Sequence, residues 1–202
     1  MTGDVPTVQY RRVNFTTLTR LDYSGVPTLP RMGRSRITVR APALTNPPPA
    51  AVLTGLDRIF EATEEAEQLT ILAYMTVETG TGEAMLALVG HPPPVLISPV
   101  RHSRALQRRA RHSLGWPAPR QQDSLTIPPG HTALLYSDGL VTHRQRAMDA
   151  GLAGLRSAVG KAPASALADP KRLLDHLLTH MLGKRELDDD VTVLAVHIPA
   201  RR

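Results

Sequence analysis

The sequence of 202 residues contains no cysteine. Disulfide bonds and thiolate-ligated metals are therefore excluded, and this absence is typical of proteins from a reducing compartment. No charged and then apolar leader opens the chain either. Together these absences predict a cytoplasmic protein.

Aromatic residues and long apolar runs are also scarce. Aromatic side chains make up 3% of the sequence, so a core has to be built from leucine, valine, isoleucine and alanine. The 42% of hydrophobic residues suffices for a sizeable core, and the length suits one domain. No apolar run is long enough to span a bilayer, so no membrane partner is expected.

Lysine is nearly absent, and arginine carries the positive charge. Lysine occurs only at Lys161, Lys171 and Lys184, although the formal net charge is +6. Five arginines lie between residues 101 and 112, in the one concentrated basic cluster. This cluster is either a site for phosphate or an acidic partner, or a solvated loop. It has no interleaved aromatic residues for base stacking, so nucleic acid is the least favoured partner.

Proline and glycine divide the chain near residue 47. Residues 1–46 contain short β-like patterns at 8–15 and 36–40, with several glycines and prolines between them. This part is either an irregular arm or a degenerate start of the domain. Residues 47–202 carry more regular patterns and form the main domain.

The main domain alternates between helical and strand patterns. Apolar residues at helical spacing predict helices at 49–63, around 152–159 and at 170–182. Strands are predicted at 69–77 and 83–89, which form a hairpin, and at 95–97, 124–127, 132–136 and 191–196.

The stretch at 127–144, IPPGHTALLYSDGLVTHR, joins a turn, a buried strand and an acidic residue. The sequence PPG ends the preceding structure, and the apolar run at 132–136 has the length of a strand. Asp138 follows, and a carboxylate at the end of a buried strand is costly unless it is paired or binds a cation. Gly139 lets the backbone approach whatever that carboxylate holds. On local grounds alone, an Asp-Gly pair after a strand is more often a plain turn.

Two further features stand at predicted strand ends. Gly90 and His91 begin a Gly-His-Pro-Pro-Pro corner, where the histidine is a ligand, a base or, in the favoured interpretation, a ring packed against the corner. Asp188, Asp189 and Asp190 run straight into the last strand. Their like charges repel one another, and a bound cation would relieve that repulsion.

His176 and His180 lie four residues apart on a predicted helix, which is the spacing of a zinc pair. No third ligand and no HExxH glutamate accompanies them, and they fall opposite the leucines of the helix. We therefore expect two surface histidines.

Three motifs occur in a fixed order along the chain: GHPPP after a strand, then LLYSDGL, then DDDVTVL. This combination resembles the SpoIIE-like branch of the metal-dependent protein serine/threonine phosphatases, the PPM superfamily. The corresponding family sequences look like AGHPPP, LLYTDGL and DD followed by an apolar strand. Leu114-Gly115 and Pro129-Gly130-His131 also match, and the resemblance covers residues 47–198.

The resemblance implies an α+β fold, a PPM-type β-sandwich flanked by helices in α-β-β-α layers, incomplete at the amino terminus. It implies hydrolysis of phosphoserine or phosphothreonine on a regulatory protein, such as an anti-sigma-factor antagonist, by a metal-activated water. The cofactor would be Mn²⁺ or Mg²⁺. The implied ligands are Asp138 and Asp189, with Asp190 beside them, and the supporting residues are Gly139, Gly90 and His91.

The chain departs from the family in its amino-terminal metal motif. Gly3-Asp4-Val5 echoes the family sequence GDVxGHG, but the Gly-His-Gly part is missing. Asp4 and Asp22 are the only aspartates before the first helix, and Asp4 is the one within the echo of that motif. Thr142 occupies a position that is commonly glutamate in the family. Two functions therefore stay open: a working phosphatase, and a catalytically impaired pseudophosphatase that binds regulatory partners.

Overall fold

The computed structural model describes residues 12–20, 47–62, 70–106, 119–142, 147–183 and 191–200. Its strands are β1 (Arg12–Arg20), β2 (Thr70–Glu78), β3 (Glu83–Val89), β4 (Val95–Ile97), β5 (Ser103–Ala105), β6 (Asp123–Thr126), β7 (Thr132–Tyr136) and β8 (Val193–His197). Its helices are α1 (Pro49–Ala62), α2 (Met148–Gly160), α3 (Ala164–Leu167) and α4 (Pro170–Leu182), with a 3-10 helix at Asp138–Leu140. The helices and strands predicted after residue 47 are confirmed, with small shifts of their ends. None of the helices in the described ranges is both long and apolar enough to cross a bilayer.

The first sheet has the order β1-β2-β3-β6 and is antiparallel throughout. β1 lies within residues 1–46, for which the sequence predicted an irregular arm or a degenerate start of the domain. It pairs with β2 along its whole length, beginning with Arg12 opposite Glu78. Gly82 makes the tight turn of the β2–β3 hairpin at a φ of 75°, which explains the glycine there.

The second sheet has the order β5-β4-β7-β8 and is also antiparallel. Its inner strand β7 is buried along its whole length. Leu134 and Tyr136 belong to the core beneath the helices, whereas Ala133 and Leu135 belong to the core between the sheets. The alternation of side chains along a strand therefore divides this one apolar run between two cores.

The two sheets pack face to face, and helices cover their outer faces. Met75, Leu86 and Leu96 contribute to the core between the sheets. α1 packs on the first sheet through a small cluster of Val52, Leu53, Leu56, Leu72, Tyr74, Ala87 and Val89. α2 and α4 cover the second sheet with residues that include Leu155 and Leu173. The α-β-β-α layering predicted from the sequence is confirmed.

Three short elements did not follow from the sequence patterns: β5, α3 and the 3-10 helix at Asp138–Leu140. The residues of β5 are polar or small and largely exposed, so its strand conformation comes from pairing with β4. α3 has four residues, which is too short for a helical period to show. The 3-10 helix replaces the simple turn that an Asp-Gly pair favours locally.

A buried ion pair holds α1 against the segment that leads into β6. The Arg120 guanidinium donates to both carboxylate oxygens of Asp57, each at 2.5 Å, and the Arg120 side chain is 4% exposed. The side-chain oxygen of Gln122 accepts a hydrogen bond from the Ala50 N–H at 3.0 Å. That amide lies in the first turn of α1, where backbone N–H groups have no partner inside the helix. The helix is therefore held at its start and near its middle by one short segment.

Candidate functional site

Asp138 lies immediately beyond β7, as the first residue of the 3-10 helix. Its carbonyl oxygen accepts hydrogen bonds from the N–H groups of Val141 and Thr142, at 2.8 and 2.7 Å. The hydroxyl group of Thr142 donates to the same oxygen at 3.0 Å. The backbone at Asp138 is therefore held firmly, and this limits the directions in which its carboxylate can point.

One oxygen of the Asp138 carboxylate, Oδ1, is buried and has no hydrogen-bond partner among the described residues. An unpaired buried carboxylate oxygen is costly, because it has lost its water without gaining a donor. Mg²⁺ and Mn²⁺ both favour carboxylate oxygens as ligands. The unpartnered oxygen therefore fits a cation ligand better than it fits a residue of a plain turn.

Ser137 connects this position to the segment before β8. The β7–β8 ladder pairs Tyr136 with Val193, and Ser137 extends the contact to Thr192. The Ser137 N–H donates to the Thr192 carbonyl at 2.9 Å, and the Ser137 Oγ accepts from the Thr192 N–H at 2.9 Å. The end of β7 and the chain just before β8 therefore lie side by side.

The Gly-His-Pro-Pro-Pro corner lies against the same end of β7. Gly90 has a φ of 61°, in the left-handed region, and a Cβ there would lie 3.3 Å from Cγ1 of Ile71. The Tyr136 hydroxyl donates a hydrogen bond to the Pro93 carbonyl at 3.0 Å. Tyr136 stands two residues before Asp138, so two motifs that are far apart in the sequence meet here.

His91 is buried within this corner and is 1% exposed. Its Nδ1 donates a hydrogen bond to the Pro92 carbonyl at 2.6 Å. Burial lowers the pKa of His91 to about 4, although the hydrogen bond to Pro92 opposes that change. The imidazole is therefore neutral at physiological pH.

Two glycines keep the backbone around Asp138 closely packed. Gly139 is buried inside the 3-10 helix. Gly151 lies in the first turn of α2, so close to the Val141 carbonyl that a Cβ there would overlap it. Sequence reasoning missed Gly151, because a glycine in a helical pattern does not reveal the tertiary neighbour that requires it.

The other predicted ligands, Asp4, Asp189 and Asp190, lie outside the described residues, as does most of the arginine cluster. Across the part of the chain that the structure describes, no group of three or more acidic or histidine side chains is placed to hold a metal. From the cluster, Arg101 and Arg104 are described, and the Arg101 Nε donates to the Ala162 carbonyl at 2.8 Å. The structure thus joins Asp138 to the corner, while all of the ligand assignments, including that of Asp138, stay predictions.

The paired histidines of α4 have different surroundings. Their ring centroids lie 4.0 Å apart. His180 is exposed, as expected, but His176 is partly buried, with its Nε2 2.9 Å from the Ala158 carbonyl oxygen of α2. The expectation of a surface position is therefore wrong for His176, because packing of α4 on α2 covers one side of its ring.

The sequence matches the family model of Stage II sporulation protein E (SpoIIE) over residues 24–199. Among solved structures, the RsbU and RsbW domains of a Mycobacterium tuberculosis protein superpose with a TM-score of 0.81 at 23% identity. That match covers 95% of this chain and 53% of the other, so this chain spans about half the length of that relative.

Two further structures have the same fold. The phosphatase domain of SpoIIE from Bacillus subtilis has a TM-score of 0.64 at 13% identity, with 96% of this chain and 83% of that chain covered. RsbX in complex with magnesium has a TM-score of 0.60 at 15% identity, with 93% and 81% covered. From the family match over most of its length and from this shared fold, the chain belongs to the SpoIIE family and is a SpoIIE-like domain of the PPM (PP2C-type) phosphatase fold.

Proposed function

We propose that this protein is a cytoplasmic, metal-dependent phosphatase that hydrolyses phosphoserine or phosphothreonine on a regulatory protein. The observation that carries the proposal is the unpartnered, buried Oδ1 of Asp138. A carboxylate oxygen without a donor, on a firmly held backbone, is available as a ligand for a hard divalent cation. Mn²⁺ or Mg²⁺ is the proposed cofactor, and RsbX is a structural relative that was solved with magnesium.

Asp189 and Asp190 are the proposed further ligands, with Asp4 as the candidate from the amino-terminal motif. The paired position of Thr192 beside Ser137 supports the first two. Asp190 precedes Thr192 by two residues and Asp189 by three. This short separation in the sequence is what supports assigning both aspartates to the same site as Asp138.

A divalent cation, when bound, supplies a water of lowered pKa as the nucleophile and neutralises charge on the phosphoryl oxygens. The protein's part is to fix the ligands in place. The three hydrogen bonds to the Asp138 carbonyl set the backbone from which its carboxylate projects. The neutral His91 and the Tyr136–Pro93 hydrogen bond keep the neighbouring corner in place.

The proposed substrate is a phosphorylated partner in a signalling pathway, such as an anti-sigma-factor antagonist. Membership of the SpoIIE family supports this class of substrate. The structural relative from Mycobacterium tuberculosis combines RsbU and RsbW domains, and that pairing supports a regulatory protein partner.

The test is phosphate release from a phosphoserine peptide, with and without Mn²⁺, by the wild type and by Asp138→Asn. We expect release to require Mn²⁺ and to fall by about 100-fold or more in Asp138→Asn. Replacing a residue that merely hydrogen-bonds to a metal ligand already lowers metal affinity or activity by about 10–100-fold, and Asp138 is itself a proposed ligand. Asp175→Asn is the matched control, because it makes the same change at an exposed aspartate on α4. Metal-independent release, or equal rates in Asp138→Asn and the wild type, would refute the proposed phosphatase activity.

A pseudophosphatase is the second candidate function, and two observations favour it. The Thr142 hydroxyl is bonded to the Asp138 carbonyl, in a position that the family commonly fills with glutamate. The missing Gly-His-Gly after Asp4 points in the same direction. A folded protein that binds a phosphorylated partner but releases no phosphate at saturating Mn²⁺ would establish this alternative.

A further inference from the structure

Ser137 is the side chain that links the two stretches in which the proposed metal ligands lie. It directly precedes Asp138, it is 1% exposed, and it contacts the segment that follows the run of aspartates. Its backbone N–H and its Oγ both bond to Thr192, each at 2.9 Å. The N–H bond would form with any residue at this position, whereas the Oγ bond depends on the hydroxyl group.

At this position, the Thr192 N–H bonds to the side-chain Oγ of Ser137 and not to a backbone carbonyl, as it would in a regular β-ladder. Thr192 itself is exposed, so water could take the place of the Ser137 acceptor at small cost to folding. Without that acceptor, the bond from the Ser137 N–H to the Thr192 carbonyl is the one of these two contacts that remains. The hydroxyl group therefore matters more for where this segment lies than for whether the protein folds.

We propose that Ser137 is a positioning residue for the metal centre: its Oγ fixes the backbone of Thr192, which follows the proposed ligands Asp189 and Asp190 in the sequence, beside the residue that precedes Asp138. This inference rests on the proposed function, because it assumes that these aspartates bind a common cation. Residues that orient metal ligands without touching the metal typically change metal affinity by 10–100-fold when they are replaced. In this protein, the orienting contact is the hydrogen bond that the Ser137 Oγ accepts from the backbone N–H of Thr192.

The test measures the dissociation constant of Mn²⁺, from the electron paramagnetic resonance signal of free Mn²⁺, in the full chain. We expect Ser137→Ala to weaken Mn²⁺ binding by about 10-fold. Ser137→Thr keeps the acceptor oxygen and should bind within about 2-fold of the wild type, since its hydroxyl has the same bonding capacity. If Ser137→Ala fails to fold, Ser137→Cys takes its place, because sulfur keeps the volume but accepts hydrogen bonds weakly.

Thr132→Val is the matched control. Thr132 is buried at the opposite end of β7, and its Oγ1 shares a hydrogen bond with Nδ1 of His197 on β8 at 2.9 Å. This variant loses a hydroxyl contact between the same two strands, far along the ladder from Asp138. We expect its thermal unfolding temperature to fall while its Mn²⁺ affinity stays unchanged.

The outcomes separate this inference from the proposed function. Wild-type Mn²⁺ affinity in Ser137→Ala, together with loss of binding in Asp138→Asn, overturns the positioning role and leaves the metal site standing. Equal weakening in Ser137→Ala and Thr132→Val also overturns it, because the effect would then be general destabilisation. An absence of Mn²⁺ binding in the wild type overturns both proposals.

Discussion

The Tyr136 hydroxyl donates a hydrogen bond to the Pro93 carbonyl at 3.0 Å, and this contact joins the end of β7 to the corner between β3 and β4. Burial raises the pKa of Tyr136 to about 12, with a smaller opposing effect from Arg156. The phenol therefore stays protonated and remains a donor throughout the neutral range. Because Asp138 follows two residues later, the corner helps to set the position of the proposed metal ligand.

Tyr136→Phe should lower the free energy of unfolding by about 1 kcal/mol, because the Pro93 carbonyl loses its donor inside the protein. Tyr74→Phe provides the comparison. The Tyr74 hydroxyl is buried and has no partner among the described residues, so its removal should be neutral or slightly stabilising. Urea unfolding of both variants measures the difference. A larger loss in Tyr74→Phe than in Tyr136→Phe would contradict this assignment.

The buried pair of Asp57 and Arg120 should be far more sensitive to substitution than an exposed pair. Asp57→Asn should cost about 3 kcal/mol of unfolding free energy, because it removes the carboxylate charge that faces the buried Arg120 guanidinium. Chemical denaturation measures this loss. The double variant Asp57→Leu/Arg120→Met should recover most of it, since an apolar pair leaves no charge to be buried at these two positions.

The control for this pair is Asp175→Asn on α4. Lys171 and Asp175 are both exposed and their charged atoms lie 3.9 Å apart. Exposed pairs of this kind contribute about 0.5 kcal/mol or less. Similar losses in Asp57→Asn and Asp175→Asn would show that burial does not strengthen the first pair.

Gly151→Ala should disturb the loop after Asp138. The added methyl group would overlap the Val141 carbonyl, so α2 or the loop has to shift. We expect a loss of about 2 kcal/mol in the free energy of unfolding, as for other overpacked sites, together with weaker Mn²⁺ binding. Thermal unfolding and metal titration measure the two effects.

Gly160→Ala is the matched control at the other end of the same helix. A Cβ at Gly160 would meet no atom within 4 Å. Alanine has the higher helix propensity, so this variant should be stabilised by up to about 1 kcal/mol. If Gly151→Ala behaves in the same way as Gly160→Ala, close packing against Val141 plays no part in stability.

The buried His91 should make the protein less stable at acidic pH. Burial holds its folded-state pKa at about 4, compared with an ordinary value of 6.5. The unfolded chain therefore binds more protons between these values. The protein carries no penalty from His91 above pH 6.5, loses stability as the pH drops through this window, and has lost about 3 kcal/mol by pH 4.

Urea unfolding between pH 4 and 7 measures this dependence in the wild type and in His91→Asn. Asparagine keeps an amide donor near the position of Nδ1 but does not titrate. We expect a flatter stability profile in the variant, with a remaining slope from His197, whose pKa burial also lowers. Profiles that run parallel across the whole window would assign the pH dependence to other groups.

The residue patterns after position 47 by themselves determined most of the helices and strands. The apolar run of β7 and the alternation in the hairpin are local properties, since periodicity directly records which face of an element is buried. The same patterns singled out Asp138, because a carboxylate that ends a buried strand already conflicts with its surroundings. The order of the three motifs led to the family, which the match over residues 24–199 confirms.

Only the tertiary structure decided which distant groups support that position. Ser137 and Thr192 are separated by 55 residues, and Asp57 and Arg120 by 63 residues, so neither contact has a local pattern. Gly151 has no distinguishing local pattern, because the need for a glycine arises from the packing of its helix on the Val141 carbonyl. β5 adopts a strand conformation through its antiparallel hydrogen bonding to β4. These features depend on packing between elements, whereas periodicity and motifs describe each element alone.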